Sequence, residues 1–156
     1  MDVLPLDRQV CFALYTASRA VTARYRPLLD ELGLTYPQYL VLLALWERDG
    51  RTVKDLGTAL RLDSSTLSPL LKRLETAGLV HRERRADDER SVTVRLTPQG
   101  AGLRTRASAL PARLLCADGL DLDELNELRI TLTRLTTALD MALDGRGEID
   151  AGALHG

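Results

Sequence analysis

The chain has few of the residues that build metal centres and disulfide frameworks. Its 156 residues include two cysteines, Cys11 and Cys116, and two histidines, His81 and His155. The cysteines lie too far apart in sequence to form a close-spaced zinc pair, so neither a metal site nor any cofactor is expected. Long apolar runs are missing as well. None approaches the roughly 20 residues that span a bilayer. The opening Met1-Asp2-Val3-Leu4-Pro5 has neither the basic stretch nor the apolar run of a secretion signal. These absences point to a cytoplasmic protein without a membrane partner. In that compartment thiols stay reduced, so a permanent structural disulfide is not expected and two free thiols remain. Charge excess is absent too. The net charge of −1 gives no global case for nucleic acid, so charge has to be read locally.

What is present is an ordinary globular composition, 45% apolar and 28% charged, which suits one domain with a core or a small domain with a dimerisation layer. Apolar residues Val10, Leu14, Val21, Tyr25 and Leu28/Leu29 recur at helical spacing, predicting a helix from about Leu6 to Leu32 that Pro27 ends or bends and Gly33 stops. Thr35 caps a second helix with Pro37 in its first turn, and the run Tyr39 to Trp46 is apolar enough to be buried on most sides. Thr52-Val53-Lys54-Asp55 resembles a capping box opening a short helix to Leu60. Arg61-Leu62 makes a turn, and Asp63 caps a helix reaching Ala77 with Leu67, Leu70, Leu71 and Leu74 inward. Pro69 is expected to be tolerated near its first full turn.

After Gly78 the period changes to two. Leu79 to Arg84 and Ser91 to Leu96 read as strands joined by a charged turn, a β-hairpin. Thr97 and Pro98 open a helix towards Cys116, which Pro111 bends or divides. A last helix spans about Leu122 to Leu143, with a stripe of Leu125, Leu128, Leu132, Leu135 and Leu139. The glycine-rich stretch 145–156 reads as a flexible tail.

Helix, tight turn, helix and charged hairpin, in that order, make a winged helix-turn-helix. The expected class is therefore mainly α with a small β-hairpin. Residues 1–144 form the domain, with a DNA-binding lobe at about 52–96 and helices at about 6–32 and 98–143 forming a dimerisation region. Ser64, Ser65, Thr66 and Ser68 begin the second helix, where short hydroxyl side chains can approach base edges in a major groove. Lys72 and Arg73 follow within reach of phosphates. The hairpin brings Arg82, Arg84, Arg85, Arg90 and Arg95, and an arginine at a hairpin tip can enter a narrow minor groove. Asp87, Asp88 and Glu89 offset part of that charge, and Asp88 is expected to fold back on Arg90 and fix the wing. The apolar stripes of the flanking helices exceed what the centre can cover. A homodimer would cover them and set two recognition helices about one DNA turn apart, matching a pseudo-palindromic double-stranded operator.

Cys11 lies in the first two turns of the first helix, where the helix dipole favours a thiolate. Taken alone it also reads as a small buried apolar residue. The stretches Gln9-Val10-Cys11-Phe12-Ala13-Leu14-Tyr15, Ser18-Arg19-Ala20, Tyr25-Arg26-Pro27-Leu28-Leu29, Leu34 to Leu40, Leu62 to Arg73 and Asp87-Asp88-Glu89-Arg90-Ser91-Val92 resemble the MarR family of winged-helix regulators. More narrowly they resemble its organic-hydroperoxide-sensing repressors, of the OhrR type. That resemblance implies that Cys11 is the sensor of organic hydroperoxides and that tyrosines at the positions of Tyr25 and Tyr36 hydrogen-bond to it, with Tyr15 also matching. It implies that Cys116 resembles the resolving thiol some members carry, which would form a disulfide with Cys11 of the other subunit. Two other classes compete. In one, a regulator binds a phenolic or apolar ligand noncovalently between Tyr25 and Tyr36 while Cys11 is passive. In the other, the chain is a thiol peroxidase, which the complete winged motif disfavours; no enzymatic activity is expected.

Overall fold

The computed structural model describes residues 4–115 and 119–152. It is mostly helical with one small three-stranded antiparallel sheet, the class expected from sequence. The chain divides into two compact units, Met1–Leu114 and Leu115–Gly156, and each is described by itself.

The first unit opens with a single 3-10 turn, Leu6–Arg8, and then α1 (Val10–Asp30). The extended Gln9 separates the two, so the long helix starts four residues later than the apolar spacing suggests. Pro27 does not end α1. It stands in the last turn, where its ring removes one hydrogen bond from a helix already about to close. Gly33, at φ 68°, then reverses the backbone so that the Leu34 amide donates to the Leu29 carbonyl at 3.1 Å. In α2 (Tyr36–Glu47) the capping box is complete: the Thr35 hydroxyl accepts from the Gln38 amide, and the Gln38 side chain accepts from the Thr35 amide at 2.9 Å. Tyr39, Val41, Leu42, Ala44 and Leu45 are buried, which is why this helix is apolar on nearly every side.

The centre of the unit holds β1 (Arg51–Thr52), α3 (Val53–Leu60), α4 (Ser64–Thr76), β2 (Val80–Arg84) and β3 (Val92–Leu96). The sheet order is β1-β3-β2, with Val80 opposite Leu96, Arg84 opposite Val92, and Arg51 opposite Val94. β1 escapes a reading by periodicity because two residues cannot show alternation. Leu56, Leu67, Leu71 and Leu74 pack with Val80 and Val94 in one core with Leu42 and Leu45. Arg61, at φ 55°, makes the tight turn between α3 and α4 in the left-handed region. Past the hairpin, α5 (Pro98–Ala107) and α6 (Leu110–Leu115) replace one long helix, with Pro111 in the first turn of α6 as its stiffness requires. The Glu31 carboxylate, just past the end of α1, takes both Arg113 guanidinium nitrogens at 2.9 and 3.2 Å, and its carbonyl accepts from Arg106 at 2.9 Å.

Cys116 lies outside the described residues. In the second unit α7 (Leu122–Gly152) starts where expected but continues past Leu143. Gly145 and Gly147 cost a helix interior only about 1 kcal/mol each, too little to force a stop. Leu128, Leu135 and Leu139 of the expected stripe are exposed. Among the described residues no helix is long and apolar enough to cross a membrane.

Candidate nucleic-acid interface and sensor helix

The start of α4 is built by Asp63. One carboxylate oxygen accepts from the Thr66 amide at 2.8 Å and from the Ser65 hydroxyl at 2.6 Å. Ser64, Ser65, Thr66 and Ser68 are all exposed, while Leu67, Leu70, Leu71 and Leu74 turn inward. The expected hydroxyl-bearing face is therefore formed, but the Ser65 proton is already given to Asp63, leaving its oxygen to accept. Those hydrogen bonds hold the Asp63 carboxyl below its ordinary value of 3.8. A depressed folded value means the cap stabilises in full above the ordinary value and loses its contribution as pH falls through the folded one. Asp63→Ala is expected to lower the melting temperature at pH 7 by about 3 °C, and to change it little near pH 2, by circular-dichroism melts at both.

Lys72 and Arg73 are exposed on α4 and hold no ion pair among the described residues. The hairpin arginines divide sharply. Arg82 donates its amide (2.9 Å) and guanidinium (3.1 Å) to Glu75, tying the root of the wing to α4. Arg95 pairs with Glu83, which also holds His81 at 2.8 Å. Arg85 makes a two-pronged pair with Asp87 at 2.9 and 2.7 Å, and this guanidinium holds the Asp87 carboxyl below its usual range. Arg84 and Arg90 hold no ion pair among the described residues. Asp88 does fold back on Arg90, but onto its backbone amide at 3.0 Å and not its guanidinium, which stays available.

Between α3, the start of α4 and the wing lies an open cleft of about 850 Å³ whose lining includes Lys54, Thr58, Arg61, Ser68 and Arg90. Lys54, Thr58 and Arg61 were not among the sequence-derived candidates. Their signal is the spacing Lys54 and Thr58, one turn apart on α3, followed by the left-handed Arg61.

Cys11 is exposed in the first turn of α1. Around it the protomer leaves apolar surface open, with Val10 68% and Phe12 37% exposed. Tyr15, one turn on, is 59% exposed and carries Arg19 over its ring. Tyr25 and Tyr36 lie elsewhere, half-buried with ring centroids 5.0 Å apart, and Tyr39 completes the cluster at 5.8 and 6.4 Å. Tyr39 was read only as part of an apolar run; an aromatic seven residues before Trp46 gives no sequence sign that it meets two other tyrosines. Burial, with the neighbouring Tyr39 and Tyr36, pushes the Tyr25 phenol up to about 12, so its hydroxyl stays a proton donor at neutral pH. Cys11 and Tyr25 share one continuous helix and stand fourteen positions apart, about 21 Å along its axis. Within a protomer the structure therefore does not bring the thiol and this tyrosine together.

The comparisons with known proteins agree among themselves. The family described as transcriptional regulator SarA/Rot matches residues 23–105. The organic hydroperoxide resistance transcriptional regulator of Bacillus subtilis is 46% identical over 138 residues, covering 88% of this chain and 94% of that protein. Among solved structures, reduced AbfR of Staphylococcus epidermidis bound to DNA superposes with a TM-score of 0.77 at 36% identity, covering 88% of this chain and 94% of that one. A disulfide-formed AbfR superposes at 0.62 with 36% identity, covering 89% and 92%.

Proposed function

The chain belongs to the MarR/SarA family of winged-helix transcriptional regulators, with the organic hydroperoxide resistance type, and from that membership we propose that it is a redox-sensing repressor which grips operator DNA as a reduced homodimer and lets go when an organic hydroperoxide oxidises Cys11. It acts in the cytoplasm on a pseudo-palindromic double-stranded site. The helices at about 6–32 and 98–143 supply the dimer contact, and the lobe at about 52–96 supplies the grip.

What carries this reading is the setting of Cys11, an accessible thiol in the first turn of α1 on apolar surface that a lone protomer leaves bare. A second copy would cover that surface. Because α1 holds Cys11 and Tyr25 about 21 Å apart, the hydroxyls of Tyr25 and its neighbour Tyr36 reach the thiol only from the other subunit, and the sensor is completed by dimerisation. The protonated Tyr25 hydroxyl then donates to the thiolate, with Tyr36 beside it.

The reaction balances simply. The Cys11 thiolate attacks the terminal peroxide oxygen, an S–O bond forms and the O–O bond breaks. The electron pair leaves on the alkoxide, which takes a proton to become the alcohol. The sulfenic acid then condenses with the Cys116 thiol of the other subunit, forming S–S and releasing water. Drawing Cys11 away from the tyrosines repacks α1, and the spacing of the two α4 helices no longer suits one turn of DNA. The test is a hydroperoxide titration of the operator complex followed by non-reducing electrophoresis. Release together with a linked dimer is expected; a complex that persists through full oxidation of Cys11 overturns the reading.

On DNA, Ser64, Ser65, Thr66 and Ser68 face the major groove, Lys72 and Arg73 the phosphates, and Arg84 and Arg90 the groove under the wing. Asp88 sets the tip and Arg85 stiffens it through Asp87. Arg90→Ala is expected to weaken operator binding about tenfold. Arg85→Ala, whose guanidinium is already spent on Asp87, is expected to cost less than about threefold. Fluorescence anisotropy at fixed salt compares them, and equal losses would contradict the division of labour.

A further inference from the structure

One face of the β2–β3 hairpin carries a cluster of charges that the proposed mechanism does not use. His81 and Arg95 stand opposite each other across the ladder, and Glu83 follows His81 by two, so the three side chains share that face. Glu83 joins the other two. One of its carboxylate oxygens meets His81 Nε2 at 2.8 Å, and the other accepts from Arg95 Nε at 3.4 Å. The Arg95 guanidinium continues to the turn before β1, where a Cβ on Gly50 would stand 3.0 Å from its Nη1. Asp49, in the same turn, accepts from the Leu96 amide at 2.9 Å. Arg82, between His81 and Glu83, is held by Glu75 of α4.

The His81 imidazole therefore has Glu83 and Arg82 beside it on its own strand, Arg95 on β3 and Glu75 on α4, with Asp49 in the turn that Arg95 reaches. Both glutamates are held below their ordinary value of 4.5: Glu83 by the His81 hydrogen bond and then Arg95, Glu75 by Arg82 and then the charge of His81. They are anions throughout the neutral range, and arginine stays charged there. Histidine is the side chain that changes charge between pH 5 and 8. Residues 52–96 contain one histidine and no cysteine. A charged imidazole gives Glu83 a hydrogen bond roughly twice as strong as a neutral one. In one of the two neutral tautomers, Nε2 has no proton to give.

Resting on the reading of the wing as a DNA-gripping element, we propose that His81 is a proton-controlled brace of the wing: charged, it fixes Glu83 between itself and Arg95 and stiffens the hairpin; neutral, it frees Glu83 and loosens the grip on the operator. Arg84 comes next after Glu83 and holds no ion pair among the described residues, so the brace sets the strand from which that guanidinium reaches DNA. A hairpin already ordered loses less freedom on binding. The protein therefore holds its operator more tightly as pH falls from 8 to 6, with no chemistry at Cys11.

The test uses full-length reduced protein and two readouts: operator affinity by fluorescence anisotropy from pH 6 to 8 at constant ionic strength, and 15N relaxation of the hairpin amides without DNA at pH 6 and 7.5. Relative to His81→Gln, the wild type is expected to lose about threefold in affinity across the range, the size of one exposed ion pair. Glu83→Gln is expected to follow His81→Gln, because the brace needs both partners. The hairpin amides become more mobile at the higher pH in the wild type and not in His81→Gln. A wild-type pH profile that survives His81→Gln overturns the proposal. So does a slope lost in His81→Gln but kept in Glu83→Gln, since the imidazole charge would then act on DNA directly. Hairpin mobility that ignores pH overturns it as well. A hairpin that loosens as expected, in a protein that binds operator at no pH, leaves the brace in place and removes the DNA-gripping reading instead.

Discussion

Cys11→Ser protein is expected to hold operator DNA as tightly as the wild type and to stay bound at hydroperoxide concentrations that release the wild type completely. The first half follows from geometry. The thiol is exposed and has no hydrogen-bond partner among the described residues, so a hydroxyl of nearly the same size disturbs no packing. The groups proposed to face DNA stand on α4 and the β2–β3 hairpin, elements whose core of Leu67, Leu71, Leu74, Val80 and Val94 owes nothing to the first turn of α1. The second half follows from chemistry. Peroxide oxygen is attacked by a thiolate, and a serine hydroxyl supplies no comparable nucleophile at neutral pH. Anisotropy of labelled operator, before and after cumene hydroperoxide, measures both halves. Release of the mutant with a wild-type dose response would contradict the sensor role and favour a ligand acting without covalent chemistry.

Most of the lobe was legible in the sequence because its signals are local. Thr35, Asp63 and Thr97 cap the helices they were expected to cap, and Gly33 and Gly78 take the positive φ that ends a helix. The two long strands form where the alternation put them, although burial along them does not alternate: Thr93 and Val94 are both buried. What escaped detection depends on partners distant in sequence. β1 exists only because Arg51 and Thr52 find Thr93 and Val94. Nearer pairings escaped too: that of Arg85 with Asp87, and of Arg82 with Glu75, decides which arginines stay available, and composition counts them all alike. Pro27 misled in the other direction, since a proline's cost depends on how much helix remains after it. The site is split more deeply. The residue types at Cys11, Tyr25 and Tyr36 could be picked out, but a single helix holds the first two apart, so no one chain brings them together. The long α7 shows the limit of reading glycine as a stop: without a competing cap, the helix runs through Gly145 and Gly147.

Gly100→Ala is expected to be the most damaging single methyl in the lobe. Gly100 is buried in the first turn of α5, and a Cβ there would stand 2.0 Å from the Leu79 carbonyl oxygen and 2.9 Å from its carbon. Both are backbone atoms, and they cannot swing aside. The Leu79 carbonyl is held by the Thr97 amide at 3.1 Å, Thr97 donates its hydroxyl to the Gly78 carbonyl at 2.6 Å, and the Trp46 indole donates to the Gly100 carbonyl at 3.0 Å. To admit the methyl, α5 must back away from the entry to β2 and strain or break all three. The expected cost is about 3 kcal/mol, in the range of core overpacking, or a fall of about 10 °C in melting temperature. Gly102, two residues along the same helix, provides the control: nothing lies within 4 Å of the place its Cβ would occupy. Gly102→Ala is expected to raise stability by about 0.5–1 kcal/mol through helix propensity alone. The functional consequence follows from what α5 joins. Its far end reaches the end of α1 through Arg106 and, across α6, through Arg113 on Glu31, so α5 links the root of the wing to the helix that carries Cys11. A surviving Gly100→Ala protein should therefore bind operator weakly even well below its melting temperature, while Gly102→Ala binds normally. Equal melting temperatures for the two variants would show that the approach of α5 to Leu79 is looser than these distances allow.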